Sequence, residues 1–169
     1  MNDLPKRKQL RLKNYDYSSR GAYFVTICIQ DRKPILSDVL VGDGAFDVPQ
    51  IRLTKYGKIV EKYLLSSENI TDVKIDQYVI MPDHIHAIII INPKIEESNG
   101  TSKAPSPTNA LLPHIVGTFK RFCSKEIGEN IFQRSFSEHI IRDREDYLVR
   151  RKYIYDNPRR WYYKRIKPD

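Results

Sequence analysis

The run from Tyr78 to Ile91 constrains this chain more than any other stretch. It is mostly apolar, rich in β-branched residues, and interrupted once, at Pro82-Asp83. Side chains branched at Cβ fit a pleated surface better than a helical turn. The reading is therefore two strands, Val73 to Met81 and His84 to Ile91, with a turn or break between them. The longest wholly apolar part, Ala87 to Ile91, is far too short to cross a bilayer. Residues two apart on a strand share a face, so His84 and His86 project together. A rigid strand that presents two imidazoles side by side supplies half of a divalent-metal site.

The other segments alternate in type. Tyr23 to Ile29 reads as a strand. Gly42, Gly44 and Pro49 mark a connecting loop. Thr54 is placed to cap a helix from Lys55 to Leu65, where Tyr56, Ile59, Val60, Tyr63 and Leu64 fall on one side. Lys94 to Asn109 is rich in Ser, Pro, Asn, Gly and Thr and reads as a flexible surface loop, because neither flank makes a complete fold alone. Leu111 to Ile127 has helical periodicity, and Phe136 to Arg142 reads as a fourth strand. Asp143 is placed to cap a last helix that Pro158 should end. Strand, helix, strand, strand, helix, strand is the ferredoxin-like order. The expected fold is α+β: a ferredoxin-like βαββαβ antiparallel sheet with two helices on one face and an additional C-terminal helix. At 169 residues, one domain spanning 1–169 is expected, preceded within it by a basic arm, 1–20. The N-terminus has no apolar segment behind its charges, so no secretory signal is expected. Cys28 and Cys123 lack metal-type spacing and are expected to be buried thiols in a reducing compartment.

Twenty-nine Lys and Arg against 21 Asp and Glu give a formal charge of +8, which favours a polyanionic partner. Lys6, Arg7, Lys8, Arg11 and Lys13 form the N-terminal arm. Arg142, Arg144, Arg150, Arg151, Lys152, Arg159, Arg160, Lys164, Arg165 and Lys167 cluster near the C-terminus, interleaved with Trp161, Tyr162 and Tyr163. Cations beside flat aromatic faces suit single-stranded nucleic acid, with its exposed phosphates and stackable bases. A solvated helix face with a few packing aromatics explains the C-terminal cluster about equally well.

A metal on His84 and His86 needs at least one further ligand and open positions for substrate. On the last helix Tyr153 and Asn157 lie one turn apart on one face. Asn157 can offer a carbonyl oxygen, and Tyr153 can hold its phenol near a metal-bound phosphate. A phenol with a pKa of about 10 is a poor nucleophile, and a neighbouring cation favours the phenolate. Histidine, amide and phosphate ligands suit Mg2+ or Mn2+, Mn2+ being the more tolerant of imidazole. Tyr155 competes for the role of Tyr153. It lies roughly 200° further around the helix, so both cannot face the site. His114 reads as a surface histidine. His139 is open between an outer hydrogen-bond partner, a substrate contact and an exposed residue, with a structural or contact role favoured over ligation.

Met81-Pro82-Asp83-His84-Ile85-His86, Arg134-Ser135-Phe136-Ser137-Glu138-His139-Ile140-Ile141-Arg142 and Tyr153-Ile154-Tyr155-Asp156-Asn157-Pro158 resemble the motifs of the REP-associated tyrosine transposases. These are single-tyrosine members of the HUH nuclease class. Tyr15-Asp16-Tyr17-Ser18 and Gly21-Ala22-Tyr23-Phe24-Val25-Thr26 fit as well, so the resemblance covers most of the chain. It implies a metal-dependent single-strand DNA endonuclease and strand transferase. His84, His86 and Asn157 would hold Mg2+ or Mn2+, and Tyr153 would attack the scissile phosphate to leave a 5′-phosphotyrosine and a free 3′-hydroxyl. The implied substrate is hairpin-forming repeat DNA. The arm cations Lys6, Arg7, Lys8, Arg11 and Lys13, with Arg142, Arg150, Arg151, Lys152, Arg159 and Arg160, would grip it. The resemblance further implies a cytoplasmic, nucleoid-associated bacterial protein, acting as monomer or homodimer. Phe132 and Ser137 stand where the family is expected to carry Trp and Tyr. A histidine-triad hydrolase would need a third histidine where Ile88 stands, and a two-histidine phosphoesterase needs separated His-X-Thr/Ser motifs that the chain lacks. The remaining alternative is a domesticated hairpin-binding protein that no longer cuts.

Overall fold

The computed structural model describes residues 21–40, 49–70, 72–92 and 111–166, with side chains to residue 164. The arm 1–20, with Lys6, Arg7, Lys8, Arg11 and Lys13, and the loop 94–109 lie outside the described residues. The elements run β1 (Gly21–Cys28), β2 (Ser37–Leu40), β3 (Gln50–Leu53), α1 (Lys55–Ser66), β4 (Val73–Ile80), β5 (His84–Ile91), α2 (Leu111–Ile127), β6 (Ser137–Ile141) and α3 (Arg144–Ile166). Strands β4, β5, β1 and β6 form one antiparallel sheet in that spatial order. Strands β2 and β3 pair separately as a short antiparallel ladder. Without that insert the order is βαββαβ, as expected of the ferredoxin-like sheet. The sequence reading has no strand at β2 or at β3, only the connecting loop marked by Gly42, Gly44 and Pro49 between them.

Strand alternation sorts the sheet into two buried faces. Tyr23, Val25 and Ile27 of β1 and Ile85, Ala87, Ile89 and Ile91 of β5 pack with Val60 and Leu64 of α1 and Leu112, Ile115, Val116 and Phe119 of α2. On the other face Phe24 and Ile88 meet Ile154 of α3, with Val79, Ile90, Ile141, Tyr147 and Tyr153 around them. Strand β5 is covered on both sides, which explains its unbroken apolar run. Its even-numbered residues, the two histidines included, face α3. Cys123 is buried as expected, but Cys28 is only half-buried; both thiols are free.

Side-chain caps start α1 and α3. Thr54 Oγ1 accepts from the Gly57 amide at 3.2 Å, and Asp143 Oδ1 accepts from the Asp146 amide at 2.8 Å. Helix α3 is then tied to both edges of the sheet. Tyr147 donates its hydroxyl to Asp76 on β4 at 2.7 Å, and Asp146 lies 2.6 Å from His139 Nε2 on β6.

Pro158 does not end this helix, contrary to the sequence expectation: α3 runs on to Ile166 with the proline inside it. Proline removes the amide that would bond the Ile154 carbonyl, at a cost of about 3 kcal/mol in a helix interior. Residues on both sides of the proline engage the sheet face and each other. Ile154 and Asn157 are buried, Arg160 lies over the Tyr153 ring, and Trp161 reaches His84. Tertiary docking outweighs the local breaker. Among the described residues no helix is long and apolar enough to cross a membrane.

Candidate active site

The corner at Pro82-Asp83 places the two histidines. Ile29 donates to the Asp83 carbonyl at 2.9 Å and Leu36 to the Pro82 carbonyl at 3.0 Å, so the loop after β1 is clamped to this corner. Between those bonds Asp31 and Arg32 adopt φ of 55° and 53°. Two successive non-glycine residues in the left-handed region store strain, of order 1–3 kcal/mol each. The turn brings Arg32 to 3.6 Å from Asp83 Oδ2.

His84 and His86 are buried, with ring centroids 4.6 Å apart and planes 76° apart. Each ring is held at Nδ1. The Asp83 carboxylate binds His84 Nδ1, and an acceptor-only partner puts the proton there, leaving the lone pair on Nε2. Thr26 lies opposite His86 in the β1–β5 register and sets its Oγ1 2.8 Å from His86 Nδ1. Phe24 stacks on His86 with centroids 5.2 Å apart. Burial lowers the His84 pKa against the opposing pull of Asp83. Burial, then the nearby His84 and Arg32, push His86 down to about 3. Both imidazoles are therefore neutral at pH 7, the form that ligates metals.

Helix α3 delivers the rest. Asn157 is buried and hydrogen-bonds the His84 side chain. Tyr153, one turn earlier, sets its ring edge-on to His86 at 5.2 Å and to Phe24 at 5.9 Å. The Arg160 guanidinium sits 5.3 Å from the Tyr153 ring centre. Tyr155 points elsewhere and is 71% exposed. The two histidines, Tyr153 and Asn157 line one cleft of about 880 Å3 together with Thr26, Arg32, Lys152, Asp156, Arg159, Arg160, Trp161, Tyr163 and Lys164. Two neutral imidazoles and an amide oxygen suit a divalent ion with positions left for substrate. Among the described residues no group of three or more His, Cys, Asp or Glu could hold a metal.

Of the cations read from sequence, Lys152, Arg159, Arg160 and Lys164 reach the cleft. Arg150 does not; it bonds Asp146 at 3.1 Å and lies over Phe24. Arg151 hydrogen-bonds Tyr147, and Arg142 is exposed away from the cleft lining. His139 joins β6 to α3 through Asp146, a structural contact, and His114 is exposed on α2. Phe132 is buried against Phe119, and Ser137 is exposed at the start of β6. Thr26, Arg32 and Asp83 were not among the residues assigned from sequence. Asp83 had a signal in its position before His84. Thr26 and Arg32 depend on strand register and on a left-handed turn, for which the sequence holds no pattern.

No family model matches the chain. A relative from Haemophilus influenzae, described only as an uncharacterized protein, is 33% identical over 174 residues, covering 92% of this chain and 89% of its own. A second from the same organism, provisionally named a REP-associated tyrosine transposase, is 31% identical over 152 residues, covering 87% of this chain and 76% of its own. Among solved structures, a REP-associated tyrosine transposase bound to a REP hairpin matches with a TM-score of 0.59 and 21% identity, over 89% of this chain and 73% of that one. That structural likeness carries the fold, and the sequence relationship over most of both chains carries the family: this chain belongs to the REP-associated tyrosine transposases.

Proposed function

We propose that the chain is a metal-dependent single-strand DNA endonuclease and strand transferase that works through a 5′-phosphotyrosine on hairpin-forming DNA. The observation that carries this reading is the convergence in one cleft of the Tyr153 ring with the paired imidazoles and Asn157. The cations of the same cleft, Arg32, Lys152, Arg159, Arg160 and Lys164, suit a phosphate backbone. The hairpin bound to the solved family member supports hairpin-bearing DNA as the substrate.

His84, His86 and Asn157 would hold Mg2+ or Mn2+, which when bound draws charge off the phosphate oxygens and favours the phenolate. Tyr153 Oη attacks the scissile phosphorus. The Oη–P bond forms, the P–O3′ bond breaks, and the 3′ oxygen leaves and takes a proton while the phenol loses its own. Attack on the phosphotyrosine by a DNA 3′-hydroxyl reverses the step and joins strands without an external energy source. Arg160, over the tyrosine ring, holds the ring in place by a cation–π contact.

The test is incubation of the protein with a labelled single-stranded hairpin oligonucleotide and Mn2+, followed by denaturing electrophoresis. The expected result is an adduct that maps to Tyr153 and is lost in Tyr153→Phe. Hairpin binding with no adduct would overturn the cleavage reading in favour of a binding-only protein, and an adduct at Tyr155 would overturn the residue assignment.

A further inference from the structure

We infer that Trp161 is a stacking platform for an unpaired nucleobase beside the reacting phosphate, so that the cleft takes the nucleotide there as a single strand. The inference rests on the DNA-cleaving reading above and deepens it. Trp161 sits with its ring centroid 6.0 Å from that of His84 and its plane tilted by 45°. Its side chain lines the cleft and is half-buried. Neither apolar cluster of the described residues includes it, so it is not a core tryptophan. It is placed by the extra turns of α3 beyond Pro158, the part of the helix that local rules would remove.

The surroundings fit a nucleotide. Arg32, Arg159, Arg160 and Lys164 line the same cleft, while Asp156, the one lining carboxylate among the described residues, is paired with Lys152 at 3.2 Å. A phosphate held near the histidines therefore has cations around it and an indole face within reach of its own base. A base can lie on that face only when it is unpaired or at a strand end. Stacking is tolerant of sequence, because every base has a π-face. Trp161 thus supplies affinity for single strands next to the cut, and sequence choice falls to other contacts.

Trp161 is the only tryptophan of the chain, so its fluorescence reports this site alone. The experiment titrates the full chain in EDTA with a ten-residue oligothymidylate, with the same backbone made abasic, and with a blunt duplex of equal length. Saturation is checked by the anisotropy of a label on each DNA. The oligothymidylate should quench Trp161, and the abasic backbone and duplex should not. Trp161→Ala should bind the oligothymidylate about tenfold more weakly, with abasic binding unchanged, and Trp161→Phe should lose less. Unquenched fluorescence at saturation with oligothymidylate, or equal quenching by the abasic backbone, overturns the inference, and this wild-type readout does not depend on the variants folding. The Tyr153 adduct assay is separate: an adduct without quenching rejects the platform and keeps the reaction, whereas quenching without an adduct keeps the platform and rejects the reaction.

Discussion

Tyr153 meets His86 edge to face within a single chain, with ring centroids 5.2 Å apart. The closeness follows from how α3 is fixed. Its first turn is tied to β4 through Tyr147 and Asp76 and to β6 through Asp146 and His139, the two outer strands of the sheet. Ile154, beside the tyrosine, is buried against Phe24 and Ile88. The expected arrangement is that the proposed nucleophile and ligand serve one another in cis. Tyr153→Phe and His86→Ala proteins should each fail to form an adduct, and an equimolar mixture should do no better than the two alone. Marked recovery on mixing would mean that the helix works in a partner's site.

Asp83 should control metal affinity without touching the metal. Its carboxylate fixes the proton on Nδ1 of His84, and Arg32 steadies it from the other side. Asp83→Asn presents an amide that can donate as well as accept, so the ring loses its enforced tautomer. Loss of such an outer partner typically costs 10–100-fold in metal affinity. Calorimetric titration with Mn2+ should show a weakening of about that size, with the far-UV spectrum unchanged. Equal affinities for the two proteins would remove Asp83 from the account.

What the amino-acid sequence shows of the fold and the site, and what it does not, divides along physical lines. β5 shows its bounds, His84–Ile91, because an apolar strand covered on both faces contrasts sharply with the Pro82-Asp83 corner before it. Tyr153 and Asn157 share a face by helical spacing alone, and both line the cleft. Thr26 could not be matched to His86 without the strand register. Arg32 enters through a turn that its residue type disfavours. The continuation of α3 past Pro158 is a contest between a local penalty and tertiary contacts, and only the local side of it is written in the sequence. Lys152, Arg159 and Arg160 were distinguishable from Arg142, Arg150 and Arg151 only once the partners Asp146 and Tyr147 were in place.

Gly57→Ala offers a direct test of packing near the corner. Alanine favours a helix over glycine by about 1 kcal/mol. A Cβ at this position, however, would stand 2.1 Å from the Leu36 carbonyl oxygen, which is backbone and already accepts the Thr54 amide at 2.9 Å. Leu36 is fully buried, and its own amide holds the Pro82 carbonyl. The clash cannot be relieved by a rotamer, and overpacking of this kind costs roughly 3 kcal/mol. The variant should unfold at lower urea concentration than the wild type. A raised midpoint would show that the loop yields and helix propensity wins.

The buried histidines should make the metal-free protein sensitive to mild acid. An unfolded histidine titrates near 6.5, whereas burial, His84 and Arg32 push folded His86 down to about 3. The unfolded chain then takes its proton at higher pH than the folded one. The stability this group contributes is complete above pH 6.5 and drains away as pH falls from there toward 3. His84 is lowered in the same direction, by burial. Urea midpoints measured in EDTA should therefore fall between pH 7 and pH 5, and His86→Gln, which cannot titrate, should fall less over that interval. Carboxylates contribute mainly below pH 5, so the difference between the two slopes isolates the imidazole; parallel slopes would mean that His86 titrates alike in the folded and unfolded chains.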